Sequence, residues 1–207
     1  TLDGTLFPYT TLFRSLGLGR VHVVGHDLGG GIAQILATTY RGCVQTVSVV
    51  NTVAFDFWPV QPIVALRTPV IRQMLMALLD VGAFERIVAR GLYHKERVTP
   101  QLMELFLHPL RTPEGRKAFL HFARCLDNTN LTSIEPALAA LDVPFLILRG
   151  DADLYLGAAN AERLHATVPG SRLERIATGG HFIQEDEPEW VTQRLLSFLD
   201  GRDPVVR

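Results

Sequence analysis

Val23-Val24-Gly25-His26-Asp27-Leu28-Gly29-Gly30-Gly31 decides how this chain is read. Val21 to Gly25 is a short apolar run closed by a glycine. Gly29 to Tyr40 then places Ile32, Ile35 and Leu36 at helical spacing, so a strand, a sharp turn and a helix are expected in succession. The turn has the form G-x-nucleophile-x-G. In such a turn the central residue is strained, and Gly25 and Gly29 are expected to be small so that strand and helix backbones can approach closely. A dinucleotide-binding loop would need G-x-G directly after the strand, and Asp27 stands where its second glycine belongs. The plainer alternative is that Asp27 only caps the following helix, for which aspartate is favoured.

Outward from the turn, Thr46 to Val50 reads as a second buried strand, which with the intervening helix makes a βαβ unit and a parallel sheet. From 57 to 134 strand-like runs disappear. Val70 to Leu79, Phe84 to Ala89, Gln101 to Leu107 and Glu114 to Leu126 read as helices broken by Pro and Gly. Val143 to Leu148 returns as a strand, Ala158 to Thr167 as a helix, Leu173 to Ile176 as a strand and Pro188 to Leu199 as a closing helix. The expected fold is α/β: a mostly parallel sheet flanked by helices, with its core in 16–56 and 135–207 and a helical cap inserted at 57–134.

An aspartate at the turn selects a chemistry. A carboxylate with an ordinary pKa of about 4 is already ionised at neutral pH and attacks without a base. On a saturated carbon it yields an ester that water can open, whereas a serine would yield an ether with no easy exit. Water must then be activated, and His181 in Thr178-Gly179-Gly180-His181-Phe182 follows the last strand, where its loop reaches over the carboxyl edge of the sheet. An imidazole in that role needs a carboxylate on its other nitrogen. Asp153, in Arg149-Gly150-Asp151-Ala152-Asp153, is favoured and Asp56 is the alternative. Asp151 is read as a turn residue bonded to its own backbone.

Composition narrows the partners. A net charge of -1 with no basic block gives no footprint for nucleic acid or anionic lipid, and 47% hydrophobic residues suit one core and a small, mostly apolar organic substrate attacked by water. No apolar run reaches the ~20 residues that span a bilayer, and no signal-peptide pattern is present, so a cytoplasmic location is expected. Cys43 and Cys125 have no C-x-x-C spacing and are expected as buried thiols. No H-E-x-x-H or similar ligand spacing occurs, so neither a metal nor a cofactor is expected.

The string Gly25 to Gly31, the Gly-x-x-Asp ending in Asp153, and Gly180-His181-Phe182-Ile183-Gln184-Glu185 together resemble the α/β-hydrolase family, from about Leu16 to Leu199. Aspartate at the turn, preceded by His26, is similar to the branch holding haloalkane and haloacetate dehalogenases and epoxide hydrolases. The resemblance implies a hole for developing charge built from the Leu28 backbone N–H and a loop upstream of the turn. In haloalkane dehalogenases a tryptophan usually follows the nucleophile and donates to the halide; here that position is Leu28. Trp58 is the candidate replacement donor, and Tyr93 the candidate proton donor for an epoxide. Carbon–halogen hydrolysis is the first expectation and epoxide hydrolysis the alternative. A ligand receptor without chemistry on the same scaffold is the reading from another class.

Residues 5–15 resemble the one-frame translation of a sequencing adaptor, so 1–15 is read as non-native sequence. On that reading the upstream loop and about four strands of the family's sheet are missing, and this chain alone is expected neither to fold cooperatively nor to turn over.

Overall fold

The computed structural model describes residues 15–56 and 82–201. Strand β1 (Val21–Asp27) runs into helix α1 (Leu28–Thr39), and strand β2 (Val44–Thr52) follows a short 3-10 turn at Arg41–Cys43. The helical stretch holds α2 (Ala83–Gly91), α3 (Pro100–Leu107), α4 (Pro113–Cys125), α5 (Thr129–Thr132) and α6 (Glu135–Ala139). The sheet resumes with β3 (Phe145–Gly150), α7 (Ala158–Thr167) and β4 (Arg172–Ile176), and the described chain closes with α8 (Ile183–Asp186) and α9 (Pro188–Leu199). Among the described residues the four strands lie in the order β1-β2-β3-β4, and every pairing is parallel.

Parallel strands covered on both faces carry apolar side chains continuously, and β3 shows it: Phe145-Leu146-Ile147-Leu148-Arg149-Gly150 is buried throughout. Its alternation sorts the core into two layers. Phe145 and Ile147 pack with Val47 and Val49 of β2 beneath Leu36, Ala37, Leu138 and Leu164. Leu146, Leu148 and Val50 face Ile183 and Val191 on the other side. Each fully buried Leu or Ile contributes about 1.5–3 kcal/mol relative to exposure. Strand β1 pairs with β2 alone among the described residues and leaves Val24 half exposed.

Helix starts between β2 and β3 follow local chemistry. Thr99 and Thr112 each precede a proline and accept a backbone N–H three residues on, from Leu102 and Gly115, which fixes the first turns of α3 and α4. No strand occurs among the described residues from 82 to 134, in agreement with the helical reading of that stretch; the helix expected at Val70 to Leu79 lies outside the described residues. One expectation is corrected. Cys125 is exposed and Cys43 only partly buried; Cys125 ends α4 on its solvent side, with Sγ 3.7 Å from His121 Nε2.

Because all four strands run the same way, Asp27, Asn51, Gly150 and Ile176 mark a single carboxyl edge of the sheet, and the loops leaving that edge carry Asp153 and His181.

Candidate active site

At the end of β1 the backbone of Asp27 has φ 50° and ψ -116°, a sparsely populated conformation for a residue with a Cβ. The turn is held by the end of β2: the Asp27 carbonyl accepts the Val53 N–H and the Thr52 hydroxyl, both at 3.3 Å. Although Asp27 stands at the N-cap of α1, its side chain caps nothing, so capping does not account for it. Among the described residues its carboxylate has no hydrogen-bond partner.

The glycines around the turn divide differently from the sequence expectation. A Cβ on Gly25 would run into the backbone of Gly29 and Gly30, so the strand and helix do approach there. A Cβ on Gly29 would meet nothing within 4 Å; the crowded helix position is Gly30, whose Cβ would strike Thr52. Gly29 therefore need not be small for packing. Gly25→Ala is expected to destabilise by about 3 kcal/mol, since only backbone could yield, whereas Gly29→Ala should stabilise by up to ~1 kcal/mol through helix propensity. Urea denaturation midpoints of the two variants, made like every variant below in protein expressed from the full source reading frame, check this; equal midpoints would refute it.

His181 lies across the edge. Its Nδ1 is 3.1 Å from Asp153 Oδ2, with both side chains almost wholly buried. Asp153 is held on every side. Its Oδ1 accepts the backbone N–H groups of Tyr155 (2.8 Å) and Leu156 (3.1 Å), and Arg149 Nη1 donates to Oδ2 at 3.3 Å. Burial pushes the Asp153 carboxyl upward, but the bond and charge of His181 and the two backbone donors outweigh it and hold the group below the usual carboxylate range. With Nδ1 donating to Asp153, the Nε2 lone pair of a neutral His181 is the free base, and Nε2 has no hydrogen bond to any described residue.

The other candidates make different contacts. Asp56 is exposed and paired with Arg163 at 3.0 Å, so it is not the partner of His181. Asp151 does not bond its own backbone; its carboxylate takes Arg175 Nε at 2.8 Å, and the turn's side-chain-to-backbone bonds belong to Asp153. Tyr93 is about half exposed with its ring edge-on to His94, and no ring contact joins it to His181. The tyrosine against His181 is Tyr155, whose ring lies 5.1 Å away at 89° and whose hydroxyl donates to the Ile87 carbonyl at 2.6 Å. Trp58 lies outside the described residues.

His26 ties the turn to the histidine loop. Its Nε2–H donates to the His181 carbonyl at 2.9 Å, and the two rings are 4.9 Å apart. Burial, and then the neighbouring His181, push the His26 imidazole below its ordinary value; the bond to the His181 carbonyl and the charges of Asp27 and Asp153 offset this in part. Its folded pKa is therefore below the unfolded one. Between the two values the unfolded chain binds more protons, so stability is fully present above about pH 6.5 and falls as the pH drops toward the lowered folded value. The melting temperature should fall through that window, and in His26→Gln this part of the fall should be absent; an unchanged profile would refute the assignment.

Asn51 is the residue the sequence reading passed over. It is 2% exposed with φ 37°, accepts the Gly150 N–H on Oδ1 at 3.0 Å, and donates through Nδ2 to the carbonyls of Gly180 (2.7 Å) and His181 (2.9 Å). One side chain thus clamps the root of the Asp153 loop to the His181 loop. Its only sequence signal is an asparagine ending an apolar strand, a type that tolerates positive φ.

The alpha/beta hydrolase fold family profile matches residues 9–188. The chain belongs to the alpha/beta hydrolase fold family. This α/β-hydrolase is 29% identical over 191 residues to the protein named "Putative carbamate hydrolase RutD" of Serratia proteamaculans, covering 91% of the chain and 68% of the relative. It is 27% identical to epoxide hydrolase 3 of Xenopus tropicalis, covering 91% of the chain and 55% of the relative. With a haloalkane dehalogenase of Bradyrhizobium diazoefficiens it shares 28% over 137 residues, covering 62% of the chain and 44% of the relative. The chain thus spans about half to two thirds of the length of these relatives. Among solved structures, the "putative ancestral haloalkane dehalogenase AncHLD2" superposes with a TM-score of 0.79 at 26% identity, covering 93% of this α/β-hydrolase and 72% of that chain. Among the described residues no helix is long and apolar enough to cross a membrane, and no group of three or more His, Cys, Asp or Glu is placed to hold a metal ion.

Proposed function

We propose that this α/β-hydrolase works through an alkyl ester on Asp27, with carbon–halogen bonds as the first substrate class. The observation that carries the reading is Asp27 itself, a carboxylate without a partner among the described residues, on a strained turn at the sheet edge that also bears the Asp153–His181 pair. In the first step an Asp27 oxygen bonds to the substrate's sp3 carbon, the carbon–halogen bond breaks, and the halide leaves with the electron pair toward the Leu28 N–H, Trp58 being the sequence candidate for a second donor. In the second, His181 Nε2 takes a proton from water and the oxygen of that water adds to the Asp27 ester carbonyl. The acyl carbon–oxygen bond then breaks, and the departing alkoxide receives the proton from His181. Asp153 keeps the imidazole in the required tautomer and stabilises its charge. Helices α2 to α5, between 82 and 134, belong to the cap of this reading. A cavity of about 360 Å³ lies along α1 beyond the turn, lined by Leu28, Ile32, Ile35, Phe122 and Leu131 among others; neither Asp27 nor His181 lines it, so it is not assigned to the substrate.

Epoxide hydrolysis is the second reading, favoured by the relative of that name, which aligns over 91% of the chain. There the ring oxygen stays on the product and needs a proton donor, for which Tyr93 is the sequence candidate. Protein expressed from the full source reading frame, held in excess over 1-iodobutane or styrene oxide in 18O-water, separates the possibilities. Ester formation predicts that the first turnover leaves the introduced product oxygen unlabelled, because it comes from Asp27, and places the label in the carboxylate. Labelled product in the first turnover would rule out the covalent route, and the substrate consumed decides between halide and epoxide.

A further inference from the structure

Asp186, at the end of α8, is 1% exposed and is not used in either chemical step. A buried carboxylate is costly unless its oxygens are filled, and here backbone N–H groups fill them. Oδ1 accepts from Tyr93 (3.0 Å) and His94 (2.9 Å); Oδ2 accepts from Tyr93 (2.9 Å) and from Gly180 (2.8 Å), the residue before His181. The same two segments touch again where the His181 N–H donates to the Gly91 carbonyl at 2.7 Å. Gly180 is glycine for this reason. A Cβ there would strike the Gly91 carbonyl, the Tyr93 nitrogen and the Asp186 carboxylate. His94 adds an outer contact, its Nε2 lying 3.1 Å from Glu187 Oε1.

We propose that Asp186 is a positioning residue that locks segment 91–94, at the base of the helical insertion, onto the backbone of the His181 loop, and so sets the imidazole for water activation. The bonds run to the backbone on both sides, so the lock acts on where His181 stands rather than on its charge. Resting on the alkyl-ester reading, in which His181 acts only in the second step, a loosened lock slows ester hydrolysis and spares ester formation. A residue needed only for folding would instead lower the active fraction and reduce both steps together. Asp186→Asn keeps the shape but turns an NH2 group toward backbone donors, so at least one of the three N–H groups loses its acceptor.

The test is single-turnover kinetics with 1-iodobutane and styrene oxide, following adduct on Asp27 by mass spectrometry, with His181→Gln as reference and thermal melts alongside. Expected is adduct formation within about 3-fold of wild type and adduct hydrolysis slowed by about 10- to 100-fold, the range in which small misplacements of catalytic groups fall. Accumulation of adduct in His181→Gln but not in Asp186→Asn overturns the positioning role. No adduct in His181→Gln overturns the alkyl-ester reading itself and the inference with it. If Asp186→Asn loses its cooperative melt, Asp186→Glu, which keeps the charge, is measured in the same way; loss of folding in both overturns the proposal.

Discussion

Asp27→Gly is expected to raise stability by about 1 kcal/mol while lowering turnover by at least about 10⁴-fold. The opposite signs follow from one geometry. At φ 50° and ψ -116° a side chain costs on the order of 1–3 kcal/mol, and glycine removes that strain, less ~0.5–1 kcal/mol for the extra freedom of its unfolded chain. The aspartate side chain repays none of the strain through a hydrogen bond to the described residues. A site that holds strain without structural return is where function is sought. Thermal melts and product assays on the same preparation check the pair. A destabilised glycine variant would mean that the Asp27 carboxylate does structural service.

The second large effect is at Asp153. Asp153→Asn keeps the volume and the Tyr155 and Leu156 N–H bonds but strands Arg149, whose side chain is 4% exposed, without its countercharge. Uncompensated buried charges cost about 3–5 kcal/mol. Turnover should drop by about 10⁴-fold, because the amide no longer holds the tautomer that leaves His181 Nε2 free to accept a proton. The pH dependence carries a sign. Since the folded pKa of Asp153 lies below the unfolded one, its stabilisation is complete above the unfolded value of about 3.9 and disappears as the pH falls through the lowered folded value. Acid unfolding of the wild type should show this loss and Asp153→Asn should not. Matching acid-unfolding curves for the two proteins would contradict the coupling.

Much of the fold could be read from local pattern. α7 and α9 begin and end at the residues their periodicity marks, β1 and β2 extend two residues beyond the apolar stretches at one or both ends, and β3 starts and ends two residues later than the apolar run Val143 to Leu148. The placement of Asp27, Asp153 and His181 at one sheet edge, with Asp153 against His181, was legible for a related reason: each sits at or just past a strand end in a turn with its own sequence signature. The errors and omissions arise where the deciding contact is distant in sequence. Asn51 reaches Gly150 and Gly180, 99 and 129 residues away, and Asp186 reaches Tyr93, 93 residues away; no spacing rule encodes such pairs. Arg175, on the neighbouring strand, draws Asp151 out of the turn role that its local sequence suggests. The exchange of Gly29 for Gly30 as the crowded helix glycine depends on where Thr52 stands, which only the β1–β2 register determines.

The most direct measurement is intact-protein mass spectrometry of His181→Gln incubated with 1-iodobutane and with styrene oxide, followed by peptide mapping. Removing the base while leaving the nucleophile should trap the ester, so the expected result is a stoichiometric alkyl adduct located on Asp27 with one of the two substrates and none on Asp27→Gly. A folded His181→Gln protein that acquires no adduct from either, or acquires one on another residue, would contradict the assignment of Asp27 as nucleophile.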